Sequence, residues 1–154
     1  MRLPGPLSLL QMGQRVLLGL LAAAFACAPT GASAAGPTIP LNDNAYLHLV
    51  KRIGATLLEQ GTAYGQARGH FSCRLRLGRQ LSGTFELSSG GILVGRFTAQ
   101  RHRGKDGFES FRGTAQVVGR SGRFRAARGT LPVYGTLDRR NRSVVFQLRG
   151  GIVG

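Results

Sequence analysis

Residues 67–77 read Ala-Arg-Gly-His-Phe-Ser-Cys-Arg-Leu-Arg-Leu. Ala67, Gly69, Phe71, Cys73, Leu75 and Leu77 alternate with Arg68, His70, Ser72, Arg74 and Arg76. Side chains of an extended chain point to opposite faces in turn, so this run has one dry face and one wet face. A half-buried strand is the expectation, and the neighbouring sequence repeats it.

Leu81, Gly83, Phe85 and Leu87 alternate with Ser82, Thr84 and Glu86. Phe111, Gly113, Ala115 and Val117 alternate with Arg112, Thr114 and Gln116. Leu131, Val133, Gly135 and Leu137, then Val144, Phe146 and Leu148, continue the pattern. Residues 45–51, 55–64 and 92–100 complete a set of eight expected strands, the last with an ambiguous inner face. Sustained helical spacing of three and four apolar residues is missing. Between the strands lie Gly78-Arg79-Gln80, Ser88-Ser89-Gly90-Gly91, Gly104-Lys105-Asp106-Gly107 and Arg139-Arg140-Asn141. Glycine, asparagine and aspartate tolerate the positive φ of tight hairpins, and connections this short make neighbours antiparallel. The expected fold is all-β: a small antiparallel eight-stranded barrel, with an open sandwich as the alternative pattern. Eight strands enclose an interior that side chains fill or that holds one small ligand.

The chain before residue 45 reads differently. Arg2 and Arg15 precede the apolar run 16–28, and Ala32-Ser33-Ala34 supplies small residues at a cleavage position. That is the secretory pattern, so residues 1–34 are expected to be a signal peptide. A lipoprotein reading through Cys27 is less favoured, because bulky Phe25 stands close before it. Residues 35–44, with two prolines, are expected to be a flexible lead-in to a barrel domain over 45–154. Extracellular or periplasmic localisation follows from the same signal. No segment has the ~20 apolar residues of a spanning helix. Arginines on the outward strand faces oppose a lipid-facing barrel.

Cleavage would leave 120 of the 154 residues, enough to bury roughly two-thirds of the unfolded surface. It would leave Cys73 alone, with no disulfide partner. Removing Arg2 and Arg15 leaves 19 basic residues against six acids, a net charge of +13. Such a field favours polyanions. The competing reading is compositional, arginine-rich coding on ordinary solvated faces. The basic candidates for anion binding are Arg101, Arg103 and Lys105; Arg120, Arg123, Arg125 and Arg128; and Arg139, Arg140 and Arg142. In an antiparallel barrel the first and third clusters share one end and the second lies at the other. Tryptophan is absent and aromatics are scarce among these charges, so no specific nucleic-acid partner is expected.

Residues 119–129 read Gly-Arg-Ser-Gly-Arg-Phe-Arg-Ala-Ala-Arg-Gly. This segment resembles the Gly-rich corner between two late strands of the allene oxide cyclase and dirigent barrel superfamily. Gly119, Ser121, Gly122, Phe124, Ala127 and Gly129 match, and Arg120 departs where that family usually has glycine. The likeness covers residues 110–151 well and looks closest to small secreted bacterial members. It implies an eight-stranded barrel with an apolar lumen. Gly119 and Gly122 would let the chain turn, and Phe124 would fold over the barrel end beside small Ala127. Phe71, Cys73, Phe85, Phe111, Val133 and Phe146 are the lumen candidates.

Three functional classes follow as expectations. The first is a secreted binding barrel for a small hydrophobic ligand. The second is a non-enzymatic binder of anionic envelope or extracellular polymers. The third is a cyclase-type isomerase, for which the resemblance offers Cys73 and, by residue type alone, Glu59 or Glu86. Cofactor and metal motifs are missing: His48, His70 and His102 are isolated, and no hydrolase elbow occurs. The pattern assigns no oligomeric state.

Overall fold

The computed structural model describes residues 36–154. The expected signal peptide, residues 1–34, lies outside them. Eight strands follow one another: β1 (Thr38–Ile53), β2 (Thr56–Tyr64), β3 (Gly69–Arg76), β4 (Leu81–Ser88), β5 (Gly91–Arg103), β6 (Phe108–Gly122), β7 (Arg128–Asp138) and β8 (Ser143–Val153). Each pairs antiparallel with the next, and β8 pairs back onto β1 to close the barrel. Closure removes the unpaired edges that an open sandwich would leave.

Alternation sets the inside. On β3, Phe71, Cys73 and Leu75 are buried while Arg74 and Arg76 are exposed. The ambiguous β5 resolves the same way, with Leu93, Phe97 and Ala99 inward. Phe146 on β8 occupies the centre of the lumen. Its ring lies 5.4 Å from Phe71, 5.5 Å from Phe85, 5.0 Å from Phe97 and 5.8 Å from Phe111, centroid to centroid. These separations fall within the favourable range for aromatic pairs. Small residues on adjacent strands make room for the rings. Gly95 pairs with Phe85, and a β-carbon there would meet that ring at 2.3 Å. Gly83 faces Phe97 and Gly135 faces Phe111 in the same way.

Two expectations about boundaries are corrected. Residues 38–44 are not a lead-in; they form the first half of β1 and pair with β8. Leu41, Asp43 and Ala45 alternate inward there, and residues 38–43 have β8 as their one strand neighbour. A proline such as Pro40 is tolerated where the ladder is one-sided. Likewise β6 does not stop with the alternating run 111–117 but continues to Gly122. It is carried past by a bulge: Leu93 pairs with Gly119 and Ile92 with Ser121, so Arg120 is the extra residue.

The turn after β6 then folds back on the strand. Phe124 is fully buried, and the Gly119 N–H donates to the Ala127 carbonyl at 2.7 Å. A β-carbon on Gly119 would fall 1.3 Å from the Phe124 carbonyl oxygen, so only glycine fits. Gly122 adopts φ 56°, and Gly129 lies against Ile152. The ring of Phe124 is covered by the Arg123 guanidinium, 4.6 Å above its centroid.

Candidate functional site

The expected lumen residues Phe71, Cys73, Phe85, Phe111, Val133 and Phe146 all lie inside the barrel and are buried. The four rings among them meet at its centre, with Phe71, Phe85 and Phe111 around Phe146.

The group that packing does not explain is Glu59. It lies on β2 between Leu57 and Gly61, on the inward face, and is 1% exposed. Neither carboxyl oxygen has a hydrogen-bond partner. Across the ladder it pairs with Leu49 on β1 and Cys73 on β3. Loss of hydration pushes its carboxyl up to about 7. Burial also raises the Cys73 thiol, and the Glu59 charge adds to that shift. Cys73 is thus a neutral thiol, the opposite of an activated nucleophile.

The other cyclase-type candidate, Glu86, is exposed on the outer face of β4. The sheet separates it from the buried side chain of Cys73, so the two are not brought together. Glu59 is the carboxylate that stands beside Cys73. Residue type put it among the candidates; only the pairing register puts it in the lumen.

Glu59 lies one inward layer behind a mouth at the end where the hairpins β1–β2 and β7–β8 meet. That mouth has a volume of 260 Å³. Its floor is Leu49, Leu57, Leu77 and Leu137, and Arg52, Asp138, Arg139 and Arg142 complete its lining. Leu49 is the ladder partner of Glu59, and Leu57 precedes it on the same face. Just past Leu49 the β1–β2 register shifts at Val50. Bulges of this kind recur at barrel rims and beside functional sites. The volume is near the lower end of small-molecule sites, roughly 300 Å³.

Three of the four remaining acids have structural partners, and the fourth, Asp106, is exposed in the β5–β6 turn at φ 59°. Glu109 is buried and receives ion pairs from Arg101 and Arg139; Arg101 also donates to the Gly78 carbonyl. Asp138 accepts from the backbone N–H groups of Arg140 and Asn141, closing the β7–β8 turn. Asp43 Oδ1 accepts from the Ala67 N–H at 2.7 Å and so ties down the β2–β3 loop, while its buried Oδ2 has no partner. Burial nonetheless raises its carboxyl, against the opposing pull of that bond, Arg123 and Arg149.

Of the ten basic candidates, Arg101 and Arg139 are therefore ion-paired, and Arg123 packs on Phe124 and donates to Ser89 Oγ. Arg103, Lys105, Arg140 and Arg142 are exposed at the hairpin end just described. Arg120, Arg125 and Arg128 are exposed towards the other end. Among the described residues, no three His, Cys, Asp or Glu side chains gather as a metal site, and no helix is long and apolar enough to cross a membrane. No family model, curated protein or solved structure matches the chain.

Proposed function

We propose that this chain is a secreted binding barrel for a small, mostly apolar molecule carrying one hydrogen-bonding group, and that Glu59 receives that group. One observation carries the reading: both Glu59 oxygens are buried and unpartnered, two residues along β2 from Leu57 in the leucine floor of a mouth with a charged rim. Such a group costs about 1–3 kcal/mol, more when charged, and a bound hydroxyl or carbonyl would offset that cost. The ligand's apolar body would rest on Leu49, Leu57, Leu77 and Leu137. Secretion is supported by Arg2, Arg15, the run 16–28 and Ala32-Ser33-Ala34. Kinship with the allene oxide cyclase and dirigent barrels belongs to the same proposal, resting on Gly119–Gly129.

The test is thermal unfolding against a panel of apolar alcohols, ketones and carboxylic acids, using the wild type and Glu59→Leu. Glu59→Leu removes the unpaired acid, so alone it should unfold at a higher temperature than wild type near neutral pH. At least one compound should raise the wild-type Tm, on the order of 10 °C at a hundredfold excess over Kd. The variant should not respond. A flat panel, or equal responses from both proteins, overturns the proposal.

A second reading has an observation of its own. A carboxyl near 7 is matched to general-acid or general-base work at neutral pH. Glu59, not Glu86, would then serve a cyclase-type isomerisation, with Cys73 as a neutral neighbour. Turnover that survives Glu59→Gln unchanged would remove this reading and leave simple binding.

A further inference from the structure

A larger concavity, 680 Å³, lies on the outside of the barrel and crosses β2 to β6. Its basic side chains are Arg74 on β3, Arg96 on β5 and Arg120 on β6. Arg74 pairs across the ladder with Thr84, and Thr84 with Arg96, which pairs in turn with Gln116. Two strand spacings put Arg74 and Arg96 roughly 10 Å apart at the backbone. Arg120 is the bulged residue of β6, turned out of the regular ladder. All three are exposed, and among the described residues none forms an ion pair. Glu86 is the only exposed acid in the lining.

We propose that this groove binds an extended anionic polysaccharide. Its carboxylate or sulfate groups would lie on Arg74, Arg96 and Arg120, and its hydroxyls would bond Gln60, Thr84 and Gln116. Planar guanidinium forks suit such anions and hold them in two-point geometry. The amide and hydroxyl side chains between them offer both donors and acceptors, which a sugar needs and a bare phosphate chain does not. A single-stranded nucleic acid is disfavoured because the groove has no exposed aromatic for a base to stack on. Glu59 and Cys73 also border this concavity, but their side chains are buried on the inner face, so the groove arginines and the Glu59 carboxyl use opposite faces of the sheet and are tested separately.

The experiment compares the purified wild type with two triple variants of equal charge change. One is Arg74→Gln, Arg96→Gln and Arg120→Gln; the other is Arg103→Gln, Arg125→Gln and Arg140→Gln, all in or beside turns and outside the groove. The probes are alginate as a polyuronate, a neutral dextran of similar length and single-stranded DNA, in moderate salt. Alginate affinity should fall at least tenfold in the groove variant and by less than threefold in the loop variant. Dextran should bind weakly to all three proteins. Amide shifts on alginate titration should concentrate on β3 to β6, a readout the wild type alone can supply. Equal losses in both variants, or shifts spread over both barrel ends, would show diffuse charge attraction and overturn the groove. DNA binding that depends on the three groove arginines more than alginate binding does would overturn the polysaccharide.

Discussion

At neutral pH Glu59 titrates inside an apolar barrel, because burial pushes its carboxyl up to about 7 from an ordinary 4.5. Between those values the unfolded chain has released the proton and the folded one still holds it. Stability therefore falls as pH rises through this window, by about 1.4 kcal/mol per pH unit at most, and levels off above the folded value. Asp43 is shifted in the same direction, chiefly by burial, so its contribution to the pH dependence has the same sign. Glu59→Gln should flatten the dependence between about pH 5 and 7, as read from urea midpoints across that range. An unchanged slope would place the titration elsewhere. The position of this acid was hard to read in sequence for a physical reason. Leu58 is apolar and faces outward while Glu59 is charged and faces inward, which inverts the usual alternation on β2. Only Leu57, Ala63 and the glycine between keep the correct phase.

At the scale of elements, the β6–β7 corner is held by a ring and a glycine. Phe124 is fully buried, and Gly119 lets the turn's backbone approach β6 closely enough to bond. Phe124→Ala should cost about 3–5 kcal/mol, as for other buried aromatics. Gly119→Ala should do comparable damage despite adding one methyl, since its β-carbon has no room beside the Phe124 carbonyl. Urea unfolding of both variants checks this; a Gly119→Ala midpoint equal to wild type would refute the close approach. The glycines of this corner stood out in sequence. The continuation of β6 through Arg120 did not, because a bulge breaks the period of two that identifies a strand. The first half of β1 was hidden similarly, by prolines at 37 and 40 that read as a loop.

For the whole molecule, five phenylalanines from five strands fill the barrel's centre around Phe146. Replacing it with alanine removes the ring that the other four touch. Phe146→Ala should cost about 3–5 kcal/mol and leave an apolar void. Benzene should then raise the variant's Tm and leave the wild type unaffected, as for other dry engineered cavities. The barrel itself was legible because inward and outward residues alternate cleanly over β3, β4, β6, β7 and β8. The division of the loop charges between the two ends followed from counting hairpins. The site was less legible, since it depends on which side chains share a layer, and register across strands is a long-range property.

The most direct measurement is a pH titration of the Glu59 carboxyl carbon by NMR in isotopically labelled protein, assigned by comparison with Glu59→Gln. A midpoint near 7 is expected for an acid enclosed without partners. A midpoint near 4.5 would mean that Glu59 meets water, and the binding site built on it would not exist.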